Sequence, residues 1–200
     1  MTDDVTATRG AAVRPAGRAD AEAVAAVYAH YVRHSWATFE ELAPTAAEMA
    51  RRIDSEPRLP WLVAERDGAV VGFAYAAVHR PRAAYRWTVE TSVYLREDER
   101  GRGTGRTLYL PLLQHLRVLG YVVAMACIAA PNPASVALHE SLGFTDVGLV
   151  PRVGHKLGAW RDLGWWSLAL AEQHERQPPE PLPWTPGAPP SYRPGKRHST

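Results

Sequence analysis

The sequence predicts an α/β domain of the mixed α+β kind, a sheet with helices packed on it, and three observations carry that expectation. Short runs rich in β-branched and aromatic residues recur between longer runs whose apolar residues fall three and four apart. Turn and capping residues separate the two kinds of run. Near the middle, Val93–Tyr109 reads as a strand end, a charged glycine-rich turn and the opening of a helix.

In chain order, Ala11–Arg14 is a short strand candidate. Val24, Val27, Tyr28, Tyr31 and Val32 then mark an amphipathic helix with Asp20 as its N-cap. Ser35–Phe39 breaks the period as a loop whose aromatics serve either a pocket wall or, more ordinarily, the core. Thr45-Ala46-Ala47-Glu48 is a capping box opening a second helix that ends near Glu56-Pro57. Trp61–Glu65 and Ala69–Val78 are strands joined by an Asp67-Gly68 hairpin turn. His79–Arg86 is a basic, aromatic loop, and Trp87–Leu95 is a strand leading into the glycine turn.

The helix beyond that turn carries Leu108, Leu112, Leu116 and Leu119 on one face and is closed by Gly120. Pro111 falls past its first turn, where a missing N–H and a steric clash predict a local kink near Thr107–Pro111. Tyr121–Ile128 is a strand, and Asn132-Pro133 caps and starts a helix that Gly143 stops. Phe144–Val153 and Trp160–Leu170 are the last two strands. Residues 1–172 thus form the expected domain. The tail from 173 onward gathers about half of the 17 prolines and reads as extended or disordered, with Trp184 and Tyr192 as candidate docking points.

Composition narrows the function. A chain of 200 residues with 46% apolar content supports an ordinary globular core. Its net charge of +2 and pI near 8.8 are too mild for a dedicated nucleic-acid binder. The single Cys127 excludes an intrachain disulfide and a cysteine-rich zinc site, and the eight histidines show no ligand spacing, so no metal is expected. Met1–Gly10 lacks the apolar run of a signal peptide, and no run approaches the ~20 apolar residues of a membrane span. A soluble, cytoplasmic protein with neither a nucleic-acid nor a membrane partner is the expectation.

The glycine turn carries the strongest chemical signal. Glycines lacking a Cβ let several backbone N–H groups converge on one concavity, and the helix behind adds its positive end. Arg100, Arg102 and Arg106 bring fixed positive charge, so a pyrophosphate is the natural ligand. No lysine follows a glycine as a P-loop requires, and Gly101, Gly103 and Gly105 are spaced two apart, unlike a dinucleotide fingerprint. A solvated turn or an RNA-contacting patch is the plainer alternative for the loop in isolation.

Arg100-Gly101-Arg102-Gly103-Thr104-Gly105 resembles the Gln/Arg-x-x-Gly-x-Gly/Ala loop of GNAT-family N-acetyltransferases. Further motifs stand around it in order: Trp61-Leu62-Val63-Ala64-Glu65, Ala84-Tyr85-Arg86-Trp87-Thr88-Val89-Glu90-Thr91-Ser92-Val93-Tyr94, Pro131-Asn132-Pro133 and His139-Glu140-Ser141-Leu142-Gly143-Phe144. Gly154-His155-Lys156, Gly158-Ala159-Trp160-Arg161-Asp162 and Gly164-Trp165-Trp166 complete the set. Together they resemble the phosphinothricin N-acetyltransferase group of that family.

The resemblance implies the GNAT fold, a central, mostly antiparallel twisted sheet flanked by helices, and acetyl-CoA as co-substrate. It implies acetyl transfer to the α-amine of a small amino-acid analogue such as phosphinothricin, methionine sulfoximine or methionine sulfone, with another amine as the alternative acceptor. By the same resemblance, Glu90 and His139 form the catalytic acid/base pair. Val93, Tyr94, Leu95, Arg100, Gly101, Arg102, Gly103, Thr104, Gly105, Arg106 and Asn132 hold the coenzyme, Asn132 serving equally well as a helix cap. Arg80, Arg82 and Tyr85 receive the acceptor's anionic end unless they only solvate a surface turn, and Phe39 forms a wall. Relatives commonly dimerise, so a homodimer is expected. Two departures bear on the acceptor: arginine stands at position 80 where lysine is more usual, and Trp36-Ala37-Thr38 differs from the usual residues before Phe39. Phe144 stands where many GNAT enzymes carry a tyrosine as general acid, and it has no proton to give.

Overall fold

The structure, a computed structural model, describes residues 10–173 and 175–187. Among the described residues, seven strands form one sheet: β1 (Ala12–Pro15), β2 (Trp61–Arg66), β3 (Ala69–Val78), β4 (Thr88–Leu95), β5 (Val123–Ala130), β6 (Thr145–Lys156) and β7 (Ala159–Ala169). The α-helices among the same residues are α1 (Ala21–His34), α2 (Ala46–Ile53), α3 (Thr104–Leu119) and α4 (Pro133–Ser141). The sheet order is β1-β2-β3-β4-β5-β7-β6, and every neighbouring pair is antiparallel except β4 with β5. The chain therefore has the mixed sheet and the element order that its periodicities predict.

Both faces of the sheet are covered, and strand alternation decides which residue goes where. Leu62 and Ala64 of β2 join Val89, Leu108, Leu112 and Leu116 in the core under α3. Trp61 and Val63 of the same strand join Val24, Tyr28, Met49, Ile53 and Phe73 in the core under α1 and α2. This accounts for the unbroken apolar run Trp61–Ala64, since a strand buried on both faces has no polar side.

Local chemistry shaped several elements as expected. Thr45 caps α2 by accepting from the Glu48 N–H at 3.2 Å, but Glu48 turns to Arg51 and Arg52 instead of completing the reciprocal box. Asp67 and Gly68 both take positive φ, 52° and 76°, as a tight hairpin turn requires. Asp20 departs from its expected role: its carboxylate accepts from the two terminal guanidinium nitrogens of Arg14 and from the Gly17 N–H, and it makes no capping bond to α1. Pro111 lies within one uninterrupted helix, α3. Only the Thr107 carbonyl loses its N–H partner to the proline, and Thr107 faces solvent, where water replaces the bond.

Packing does not end at residue 172. The Leu182 N–H donates to the Leu119 carbonyl, the Trp184 N–H to Arg58, and the Trp87 indole to the Pro179 carbonyl. Trp184 is 3% exposed and sits in the α3-side core. The proline-rich segment through Trp184 is thus extended but docked, whereas Tyr192 lies outside the described residues. No helix among the described residues is long and apolar enough to cross a membrane.

Candidate active site

The site begins as a defect in the sheet. β4 and β5 are eight residues each, yet they pair only from Thr88–Glu90 to Val123–Met125. Beyond that point β4 stays bonded to β3 as far as Leu95, and β5 stays bonded to β7 as far as Ala130. The two strands therefore diverge, and a cleft of about 480 Å³ opens between them, lined by Thr91–Leu95 on one side and Cys127–Ala129 on the other. Strand alternation turns the N–H and C=O groups of Thr91, Val93 and Leu95 toward the opening, because those of Arg96 and its even-numbered neighbours face β3. A ligand with amide groups would extend this edge like an added strand.

The glycine turn closes one end of the cleft. Gly101 and Gly103 take φ of 75° and 80°, a conformation that favours glycine, and Gly103 is the N-cap of α3. The first intrahelical donor is Thr107, bonded to the Gly103 carbonyl at 3.0 Å, so the N–H groups of Thr104, Gly105 and Arg106 have no acceptor within the helix. A Cβ on Gly105 would meet Leu138 at 3.1 Å, which shows how tightly α4 closes over this end.

Glu99 anchors the turn. Arg66 grips its carboxylate at 2.8 and 3.1 Å, the Thr104 hydroxyl donates to it at 2.6 Å, and only 2% of its side chain is exposed. The Arg66 guanidinium holds the Glu99 carboxyl below the usual carboxylate range. The arginines are less available than their number suggests. Arg102 lies 3.8 Å from Glu99, Arg100 lies 3.8 Å from Glu97 and near the Tyr31 ring, and Arg106 donates to the Ser141 carbonyl. Backbone amides and the helix end, more than a free arginine cluster, make this an anion cradle.

Tyr31, expected on the apolar face of the first helix, reaches into the cleft. Its hydroxyl donates to the Leu95 carbonyl at 2.7 Å and accepts from the Leu95 N–H at 3.2 Å, so Leu95 has both backbone groups engaged. Among Val93, Tyr94 and Leu95, this leaves Val93 as the residue whose backbone faces the opening without that cover. Trp36 forms part of the wall, its indole bonded to the Pro131 carbonyl and its face under Arg161 at 4.0 Å. Asn132 lines the same cleft while its Oδ1 accepts from the Ser135 N–H, which makes it the helix cap as well.

Glu90 and His139, expected as an acid/base pair, each have other hydrogen-bond partners: His79 for Glu90, and Tyr109 and the Ser135 carbonyl for His139. Thr91 points into the α3-side core, where its Oγ1 meets the Tyr109 hydroxyl at 3.2 Å, so the adjacent Glu90 must point to the opposite face. His139 belongs to the Thr91 side. It is 3% exposed, its Nδ1 lies 2.7 Å from the Ser135 carbonyl, and its Nε2 lies 2.7 Å from the Tyr109 hydroxyl. A carbonyl only accepts, so Nδ1 carries the proton and Nε2 accepts from Tyr109. Both nitrogens are occupied, and burial pushes the imidazole below its ordinary value. His139 is a neutral, fully bonded wall residue at the cleft, backed by Phe144 and Tyr109.

Glu90 stands at the last paired rung before the strands diverge. Its Oε1 lies 2.8 Å from Nδ1 of His79, and the Cys127 thiol points to Oε2 at 3.9 Å. Burial and the nearby Glu90 charge push that thiol up to about 12, so it stays protonated. Tyr85 and Trp165 meet the His79 ring edge-on at 5.5 and 5.9 Å, and the Arg80 guanidinium lies 5.9 Å over Trp165. Glu90, Arg80 and Tyr85 thus share one neighbourhood, with Arg82 exposed on the same loop. Phe39 is 37% exposed, and a Cβ on Gly154 would strike its ring, so the phenyl lies directly on β6. Among the described residues, no group of three or more His, Cys, Asp or Glu is arranged to hold a metal ion.

An anion cradle at one end of a split sheet and a carboxylate at its root suit a transferase that draws its group from a long phosphate-bearing thioester. Comparison with known proteins agrees. Residues 13–165 match the acetyltransferase (GNAT) domain. The phosphinothricin N-acetyltransferase of Streptomyces viridochromogenes is 41% identical over 155 residues, covering 77% of this chain and 85% of that protein. The L-methionine sulfoximine/L-methionine sulfone acetyltransferase of Salmonella typhimurium is 36% identical, covering 80% and 95%. The crystal structure of a phosphinothricin acetyltransferase from Sinorhizobium meliloti, in complex with acetyl-CoA, superposes with a TM-score of 0.82 at 37% identity, covering 87% of this chain and 96% of that one. The chain belongs to the GNAT family of acetyltransferases, and it is an acetyl-CoA-dependent N-acetyltransferase.

Proposed function

We propose that the protein transfers the acetyl group of acetyl-CoA to the α-amine of a small amino-acid analogue of the phosphinothricin or methionine sulfoximine type, with Glu90 as the base. The observation that carries this is the placement of Glu90. It lies at the root of the split between β4 and β5, five residues and about 17 Å of strand from Leu95, where the glycine turn begins. In this reading the phosphate end and the reacting end lie apart along the length of β4.

Acetyl-CoA, when bound, supplies the activated acetyl group. The N–H groups of Gly101, Gly103, Thr104, Gly105 and Arg106 are those that would hold its pyrophosphate. The N–H of Val93 faces the cleft and is the donor suited to polarise the acetyl oxygen. Arg80, Arg82 and Tyr85 receive the acceptor's anionic group, with Phe39 as an apolar wall. Glu90 removes the amine proton, directly or through one water. An α-amine has a reference pKa near 8, so a carboxylate held close to it is a sufficient base.

A homodimer belongs to the same proposal. The edge strand β6 exposes Val147, Leu149, Val150 and Val153, each at least 43% accessible, as an apolar strip that a second copy would cover. The acceptor is tested by thiol release from acetyl-CoA against phosphinothricin, methionine sulfoximine, methionine sulfone and ordinary amino acids. A kcat/KM at least about 10-fold higher for the analogues supports the proposal, which at 1.4 kcal/mol needs only one added polar contact. Equal or better turnover of ordinary amino acids moves the assignment to them.

A further inference from the structure

Glu90 has a partner that the chemistry above does not use. We infer that His79 is the positioning residue for Glu90, holding the carboxylate through Nδ1 so that its other oxygen stays directed along the cleft wall; this rests on Glu90 being the base.

The register of the sheet places the two together. Ala77 of β3 lies opposite Glu90 of β4, and Val78 lies opposite Val89. His79, one residue further, falls across from Thr88, so Glu90 is its diagonal neighbour on the same face. At that separation an imidazole reaches the carboxylate, and Nδ1 and Oε1 stand 2.8 Å apart. A carboxylate has only acceptor sites, so Nδ1 carries the proton it donates. The side chain of His79 is 12% exposed against 33% for Glu90, and the edges of Tyr85 and Trp165 confine the ring on two sides. The donor is therefore better fixed than the group it holds.

The bond occupies Oε1 and leaves Oε2 beside Cys127, a residue of the cleft wall. Without the histidine, a carboxylate one-third exposed has rotamers that turn it from the cleft toward water. The same ring touches Tyr85 of the acceptor loop, so the base and the loop expected to bind the acceptor are set by one side chain. Among the described residues, the hydrogen bond and ring contacts of His79 go to Glu90, Tyr85 and Trp165, which separates its effect from donor affinity.

The test uses steady-state thiol release by the intact chain, with the best acceptor found for the wild type, on His79→Phe, His79→Asn, Glu90→Gln and the double variant His79→Phe/Glu90→Gln. Phenylalanine keeps the ring and removes the donor. Asparagine loses the ring but places an amide N–H at the position of Nδ1. We expect His79→Phe to lower kcat about 10-fold, the scale of a misplaced catalytic group, with KM for acetyl-CoA within about 2-fold of wild type. His79→Asn should recover most of the loss, and the double variant should be no slower than Glu90→Gln alone, because residues acting as a unit are not additive.

Wild-type kcat in His79→Phe, no recovery in His79→Asn, or additive losses in the double variant would each overturn the positioning role. A fully active Glu90→Gln instead removes the base assignment beneath it, so the two failures are told apart. Nitrogen-15 NMR of the free enzyme gives a readout apart from turnover. Protonation of His79 at Nδ1 agrees with the inference, and the Nε2–H tautomer contradicts it.

Discussion

Replacing Tyr109 by phenylalanine removes one buried oxygen and tests how His139 is held. Tyr109 is fully buried; its hydroxyl lies 2.7 Å from Nε2 of His139 and 3.2 Å from Oγ1 of Thr91. Thr91 keeps a second bond, to the Met125 carbonyl, so it is not orphaned by the change. His139 loses the one donor to its Nε2 among the described residues, at a site 3% exposed. A buried acceptor left without a partner costs about 1–3 kcal/mol, and the ring itself is kept, so no large cavity term is added. For a chain of this size each kcal/mol lowers Tm by roughly 2–4 °C, which gives a fall of about 2–12 °C in calorimetry. Activity measured well below the transition should change by less than about 5-fold, since occupied nitrogens take no part in proton removal. Unchanged Tm would show that the hydroxyl makes no such bond. An intact fold with a loss near 100-fold, the lower end for a general base, would return His139 to the chemistry.

The other expectations concern the cradle, acid and the docked tail. Glu99→Gln weakens the grip of Arg66 and Thr104 on the glycine turn, so KM for acetyl-CoA should rise by about 10-fold, equivalent to 1.4 kcal/mol, with kcat nearly unchanged; a change in kcat alone would contradict the anchor role. Acid should destabilise in two stages. Burial depresses His139 in the fold, so its contribution is present above the unfolded value of about 6.5 and fades as pH falls below it; Glu99, depressed by Arg66, contributes above about 4.3 and fades below. Thermal scans across pH check the order, and His139→Leu should flatten the upper stage, while an unaltered profile would refute its burial as a neutral ring. Trp184→Ala should cost about 3–5 kcal/mol, the range for emptying a buried aromatic site, and its thermal unfolding would match wild type if the segment were not docked.

Much of this fold was legible because its signals are local. Period two, period near four, the Asp67-Gly68 turn and the Asn132-Pro133 start each depend on neighbours in sequence. The glycine turn was legible for the same reason. What escaped depends on distant pairing. Asp20 looked like a cap until Arg14 of β1 was brought beside it. The hydrogen-bond partners of Glu90 and His139 had no local mark either, since His79 and Tyr109 reach them only through the sheet register and the packing of α3. His79 had no signal of its own, since one histidine after a strand is commonplace; the β3–β4 register makes it a neighbour of Glu90. The insertion of β7 between β5 and β6 likewise has no local mark. Trp184 stood out in a proline-rich stretch as a docking candidate, but the Leu119 carbonyl and Arg58 that receive its segment could not be named from the sequence.

The most direct test of the account is Glu90→Gln, an almost isosteric change that removes the negative charge while keeping an oxygen to accept from His79. Thiol release with saturating acetyl-CoA and the best amino-acid analogue should show kcat/KM reduced by about 100-fold or more, with acetyl-CoA affinity by calorimetry within about 2-fold of wild type. Full activity in that variant, with the fold intact, would contradict the placement of the base at the root of the β4–β5 split.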